Sequence, residues 1–274
     1  MLFRSINTLL LAFSMLTSTQ SPLVKQFKKL QAAKERREMQ AFLLEGTHLI
    51  QEACVVGYPL TTVCCTLKWQ ENHPELWSIV SDHCDRLELV SEEVIRSIAT
   101  TVNPDGIVAM APRLAQVQPA IPAPLTLVLS TIQDPGNLGT MIRTAAAAGV
   151  DGLWVSSDSV DLDNPKVLRA SAGQWFRLAM GVSENLQELV TSYQQQGVQV
   201  VSTTSHTKTK TSYWDVDLTA PTLILLGNEG AGLSEDLAKL ADLQVRIPMS
   251  VRVESLNVAT AAALMLYEVR RQRS

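Results

Sequence analysis

At about 150 residues per domain, a chain of 274 residues has room for two domains with real cores. Its 46% hydrophobic and 18% charged residues are globular values that exclude a disordered tail, a fibrous repeat and a disulfide-stapled miniprotein. The net charge of −4 and the acidic pI exclude the broad basic coat of a non-specific nucleic-acid binder, so any such role must use local patches.

Residues 1–20 form an extra N-terminal segment with two readings. Arg4, an apolar run over 9–13 and the small residues Thr17, Ser18 and Thr19 imitate a weak secretory leader. Alternatively, Met15 is the start of a protein that reads as cytoplasmic throughout, and a cytoplasmic location is expected on that basis. No apolar stretch approaches the ~20 residues that cross a bilayer, so no membrane partner is expected.

Residues 25–37 carry Lys25, Lys28, Lys29, Lys34, Arg36 and Arg37 against the single acid Glu35, with Leu23, Phe27 and Leu30 on one face. The spacing predicts one basic amphipathic helix lying before the fold proper. It is either a solvated surface or an arm that contacts phosphates, with Lys25, Lys28, Lys29, Arg36 and Arg37 as the candidates.

Residues 41–111 alternate helical patterns with β-branched runs and close with the turn Asn103-Pro104-Asp105-Gly106 and a strand over 107–109, which reads as a small α/β domain. Cys54, Cys64, Cys65 and Cys84 lie in it without any zinc-ligand spacing and are read as buried thiols in a reducing compartment, with no metal. Residues 112–124 hold Pro112, Pro119, Pro122 and Pro124, no acid and one base, a stiff extended linker.

From 125 to 274 the pattern is regular. Strands are predicted over 125–130, 152–155, 198–202, 222–226 and 243–247, and helices over 138–148, 165–171, 185–196, 234–240 and 257–273. Such alternation predicts a parallel sheet covered by helices, with ligands at the carboxyl ends of the strands.

Three segments at those ends are over-specified for packing. In Asp134-Pro135-Gly136-Asn137-Leu138-Gly139 a strand breaks and restarts as a helix, whose free N–H groups suit an anion. Asn137 is the N-cap in the plain reading, and Arg143 can reach back toward an anion held at the helix start. Leu226-Gly227-Asn228-Glu229-Gly230-Ala231-Gly232-Leu233 is a glycine-rich loop that is neither a Walker loop nor a dinucleotide fingerprint. Ile247-Pro248-Met249 and Glu254-Ser255-Leu256-Asn257-Val258 precede an alanine-rich helix, with Ser255 or Asn257 as an ordinary cap.

Together, in this order, the three segments resemble the signature motifs of the SpoU/TrmH family of RNA ribose 2′-O-methyltransferases. Phe42-Leu43-Leu44-Glu45-Gly46 and Pro104-Asp105-Gly106-Ile107-Val108-Ala109 resemble the family's N-terminal RNA-binding module, which has a ribosomal-protein-like fold. The resemblance implies an α/β catalytic domain with a deep trefoil knot. It also implies S-adenosylmethionine bound in the knot by Thr203, Thr204, Gly227, Ile247, Met249 and Leu256, a homodimer, and no metal. It makes Arg143 the essential catalytic residue, with Asn137, Glu229, Ser255 and Asn257 around it. Because a guanidinium holds its proton, the role given to Arg143 is to bind a phosphate and stabilise the developing alkoxide.

One position departs from the pattern. Val251 stands where many relatives have glycine, so either the loop takes another path or glycine is not needed there. The RNA-binding module favours large-subunit ribosomal RNA as substrate, with transfer RNA as the alternative. A non-catalytic RNA-binding protein and a nucleotide-cofactor oxidoreductase are the competing classes. The intact motif residues argue against the first, and the missing dinucleotide glycines argue against the second.

Overall fold

The computed structural model describes residues 15–115, 117–204, 211–228 and 230–274. The sequence reading of residues 1–14, and that of Glu229, lie outside the described residues. The N-terminal domain contains α1 (Pro22–Lys29), α2 (Ala33–Met39), β1 (Ala41–Glu45), α3 (Thr47–Val55), β2 (Leu60–Cys65), α4 (Leu67–Asn72), α5 (Pro74–His83), β3 (Cys84–Leu89), α6 (Glu92–Ile98) and β4 (Ile107–Pro112). Its sheet runs β1-β4-β2-β3, with β4 antiparallel to both neighbours and β2 parallel to β3.

The predicted single basic helix is two helices. Ser21 caps α1 by accepting from the Val24 N–H, and the chain then bends at Leu30, whose side chain is fully buried. Leu23, Val24, Phe27 and Leu30 pack with Val94, Ile95 and Ile98 of α6, so this segment is part of the core and does not precede the fold. Leu16 also joins, donating to the Leu89 carbonyl and accepting from Ser91. The four cysteines are free. Burial pushes the thiol of Cys54 up to about 11 and those of Cys64 and Cys65 up to about 12, values at which they are inert at neutral pH. Among the described residues no cluster of His, Cys, Asp or Glu can hold a metal ion, and no helix is long and apolar enough to cross a membrane.

The C-terminal domain contains β5 (Leu125–Leu129), α7 (Pro135–Ala148), β6 (Gly152–Ser156), α8 (Pro165–Ala170), β7 (Met180–Ser183), α9 (Leu186–Gln195), β8 (Gln199–Thr203), β9 (Thr222–Leu226), α10 (Glu235–Lys239), β10 (Leu243–Val245) and α11 (Val258–Gln272). All six strands are parallel in the order β10-β8-β9-β5-β6-β7. Alternation along the strands sends Leu127, Leu129, Ile224 and Leu226 to one face, beneath α7, α8 and α11. Val128, Leu223 and Leu225 go to the other, beneath α9 and α10. The strand order reverses between β5 and β9, and a crevice opens there at the carboxyl ends.

The two domains share one hydrophobic core. Phe42 of β1 lies against Trp175 with ring centroids 5.2 Å apart, and a single apolar cluster runs from α3 and β2 through this contact into α7 and α11. Ion pairs frame it. The Arg36 guanidinium, 1% exposed, donates to Asp163 at 3.0 Å and to Asp161 at 2.9 Å, and closes the α1–α2 bend by donating to the carbonyls of Leu30 and Gln31. The expected phosphate contact by Arg36 is thereby corrected, because this side chain is spent on the domain junction. Arg37 also pairs with Asp161, but it stays exposed.

Glu45, which the sequence associates with the RNA-binding module, is buried and holds the domains together. It accepts from the N–H and hydroxyl groups of Thr100 and Thr101 and from Arg169 at 2.9 Å. Burial alone would raise its pKa, but these donors together hold it below the usual carboxylate range. A depressed native pKa adds stability above the unfolded value of about 4.3, and that stability is lost as pH falls through the native value. Glu45→Gln should therefore be less stable than wild type near neutrality, with the two converging on acidification. Thermal midpoints followed from neutral pH to about pH 3 check this, and a constant offset over the range would refute it.

Candidate active site

The three motif segments follow β5, β9 and β10 and meet at the carboxyl edge of the sheet. Pro135 opens α7, and its N-cap is Asp134, whose carboxylate accepts from the Asn137 N–H at 2.9 Å. Asn137 is thus not the cap. Relieved of that task, its side-chain oxygen accepts from Asn257 Nδ2 at 2.9 Å. Asn257 caps α11 by accepting from Ala259 and Thr260, so one amide pair ties together the N-termini of α7 and α11. Gly139 allows α7 to press on α8, since a Cβ there would lie 2.5 Å from Ala170 Cβ and 2.6 Å from the Val167 carbonyl.

The glycine-rich segment closes on itself. Asn228 and Gly232 exchange backbone hydrogen bonds at 3.1 and 3.0 Å, and Asn228 Oδ1 accepts from the N–H groups of Gly230 and Ala231. A Cβ on Gly227 would lie 2.2 Å from the Gly232 carbonyl carbon, so only glycine permits this fold of the loop. Asn228 Nδ2 also donates to the Thr131 carbonyl at 2.8 Å, which joins the loop to the segment after β5. Asn228 stands in the glycine-rich motif without a role assigned from sequence. Its position between strand and glycines, where Asn side chains close turns on their own backbone, is the signal that marks it.

A cavity of about 280 Å³ lies beside this loop. Thr203, Thr204, Gly227, Ile247, Met249 and Leu256, all six residues expected around a cofactor, line it together with Ser255. Asn257 sits between the lining residues Leu256 and Val258, at the cavity's edge. Arg143 does not line the cavity; it is exposed on α7 and makes no ion pair or hydrogen bond among the described residues. Lys25 and Lys29 are exposed on α1 of the N-terminal domain, with Lys28 half-buried, and none of the three lines the cavity. Val251 is fully exposed and is not among the residues with positive φ, so the position needs no glycine.

Residues 124–267 match the SpoU rRNA methylase family, and residues 21–109 match the MRM3-like substrate binding domain. The chain belongs to the SpoU methylase family. An uncharacterised tRNA/rRNA methyltransferase of Synechocystis is 44% identical to this SpoU methylase, with 94% of each chain covered. The 23S rRNA (guanosine(2553)-2′-O)-methyltransferase RlmP of Bacillus subtilis is 33% identical over 92% of this chain and 98% of its own. Among solved structures, an RNA 2′-O ribose methyltransferase superposes with a TM-score of 0.81 at 34% identity, covering 94% of this chain and 99% of that one. The AdoMet-bound rRNA methyltransferase from Sinorhizobium meliloti superposes with a TM-score of 0.79 at 32% identity, covering 94% and 97%.

Proposed function

We propose that this SpoU methylase transfers the methyl group of S-adenosylmethionine to a ribose 2′-hydroxyl of large-subunit ribosomal RNA, in the cytoplasm and as a homodimer. The observation that carries the reading is the cavity in which the second and third motif segments and the end of β8 converge. Its lining suits the cofactor's two ends. Ile247, Met249 and Leu256 offer an apolar slot for a purine, and the hydroxyls of Thr203, Thr204 and Ser255 offer partners for a ribose and an amino acid. The substrate names of the relatives above support ribosomal RNA.

The cofactor, when bound, supplies an electrophilic sulfonium methyl. The chain's own residues must align the 2′-oxygen in line with it, exclude water and manage the charge that develops on that oxygen. Asn257 and Asn137 form a fixed amide pair at the cavity edge that orients the ribose, with Ser255 beside them. Glu229 would hold Arg143 or Asn137 in place. Arg143 binds an RNA phosphate and stabilises the alkoxide, and its exposure leaves it free to do so at a site shared between subunits. The chain path through β9, β10 and the 246–257 segment into α11 fits the knot implied by the family resemblance.

Mapping ribose methylation across cellular RNA with and without the protein tests the reading. A lost methyl in 23S RNA supports it, a lost methyl in tRNA redirects it, and no change in any RNA refutes it. The N-terminal contribution has its own test. With Arg36 buried and Arg37 paired with Asp161, the candidate cations that remain are Lys25, Lys28 and Lys29, the last within 3.6 Å of Glu35, and each phosphate neutralised contributes a slope of about −0.7 to −0.9 in log affinity against log salt. Changing all three to glutamine should flatten the salt dependence of binding to a methylatable RNA fragment by roughly two units, with cofactor affinity unaltered. An unchanged slope would assign the phosphate contacts elsewhere.

A further inference from the structure

A second cavity occupies the crevice where the strand order reverses. It is bounded by Ser130 and Thr131 after β5, Ser156 at the end of β6 and Asp158 after it, and Glu184 after β7. Asn228, Gly232 and Leu233 line both this cavity and the cofactor cavity, so the glycine-rich loop is the wall between them. On its other side it shares Ser156, Ser157 and Glu184 with a depression at the domain junction, where Arg37 and Arg113 lie. The three spaces form one groove along the carboxyl edge of the sheet. It leads from the N-terminal domain to the cofactor.

The groove changes in charge along its length. Arg37 and Arg113 stand at the junction, but among the described residues no Lys, Arg or His lines the middle cavity, which has two carboxylates instead. A phosphate there would meet like charge without compensation, whereas a base can offer hydrogen-bond donors. Asp158 is already committed. It accepts from Ser156 Oγ at 2.5 Å and from Thr131 Oγ1 at 2.9 Å, and it helps to hold Thr131 at a φ of +57° with its carbonyl on Asn228. The Ser156 hydroxyl, opposed by burial and aided by Thr131, keeps Asp158 below the usual carboxylate range and therefore charged. Glu184 has no hydrogen bond or ion pair among the described residues and is exposed to the groove.

We propose that the middle cavity seats the base of the nucleotide being methylated and that the Glu184 carboxylate selects guanine. Extruded RNA bases are read on their Watson–Crick and Hoogsteen edges, and a carboxylate needs an edge that carries donors. Guanine is the RNA base whose edge presents two adjacent donors, N1–H and the 2-amino group, to one carboxylate. Uracil has one donor between two acceptors, and adenine and cytosine each set a donor beside an acceptor. Glu184 is a specificity residue in this assignment, with Asp158 and Thr131 positioning the cavity wall.

The assignment rests on the methyltransferase reading, and two measurements separate them. The first is binding of guanosine, inosine, adenosine, cytidine and uridine to the full chain with S-adenosylhomocysteine present. Guanosine should bind roughly tenfold more tightly than inosine, which lacks the 2-amino donor. In Glu184→Gln that ratio should fall close to one, with S-adenosylhomocysteine affinity unchanged, which also reports that the variant is folded. Equal binding of the five nucleosides, or a preference that survives Glu184→Gln, overturns the assignment. The second is the identity of the nucleotide methylated in 23S RNA. A methyl on guanosine supports the assignment, and a methyl on any other nucleotide overturns it while leaving the methyltransferase reading intact. A guanosine preference that depends on Glu184, in a protein that methylates no RNA, would uphold the base pocket and overturn the methyltransferase reading.

Discussion

Replacing Arg143 by alanine should slow single-turnover RNA methylation by on the order of a hundredfold or more, the scale for removing one charged contact to a transition state. The fold and the affinity for S-adenosylmethionine should stay as in wild type. The side chain is exposed on α7, outside the cavity and without a partner among the described residues, so its removal takes away no buried contact. A surface change of this kind shifts stability by about half a kcal/mol at most. Arg143→Lys keeps the positive charge but loses the planar fork that grips a phosphate, and it should recover part of the rate. A single-turnover rate like that of wild type in Arg143→Ala would remove the residue from the chemistry. Weaker cofactor binding would instead place it beside the cavity, contrary to the observed lining.

The site was legible where local chemistry decided the backbone. Each motif segment is marked by Pro or Gly where a strand turns into a helix, and Gly227 and Gly139 proved to be positions where a Cβ would strike neighbouring atoms. The six residues expected around the cofactor come from the ends of β8, β9 and β10 and the segment before α11, and they meet because parallel strands deliver their carboxyl ends to one edge. What escaped the sequence depended on distant partners. β7 (Met180–Ser183) is four residues long and contains Gly181, which reads as a poor strand former. That glycine is required by packing, since a Cβ would lie 2.3 Å from the Trp154 ring on the adjacent strand. Of the two readings of Asn137, the plain cap fails because Asp134, three residues earlier, does that work and frees Asn137 for Asn257, 120 residues away. Charge periodicity likewise could not reveal which cation of the basic segment is buried, because the partner Asp163 lies 127 positions from Arg36.

That buried arginine carries the second large effect. Arg36→Met should destabilise the protein by about 3–5 kcal/mol, the range for breaking a buried ion pair by removing one partner. Asp163, 3% exposed, would keep only Arg113 among the described residues. Asp161 would keep Arg37, and the carbonyls of Leu30 and Gln31 at the α1–α2 bend would lose their donor. Lysine should not restore the stability, because a single ammonium cannot reproduce a planar fork that serves two carboxylates and two carbonyls at once. Arg37→Met provides the contrast. It shares Asp161 but is exposed, so its loss should cost about 1 kcal/mol or less. Denaturant unfolding of the three variants distinguishes a structural Arg36 from an RNA-contacting one. If Arg36→Met unfolds like wild type and instead weakens RNA binding, the guanidinium faces the nucleic acid in solution. If stability falls and salt-dependent RNA affinity of the folded fraction holds, the cation belongs to the clamp that fixes the RNA-binding domain against the methyltransferase sheet.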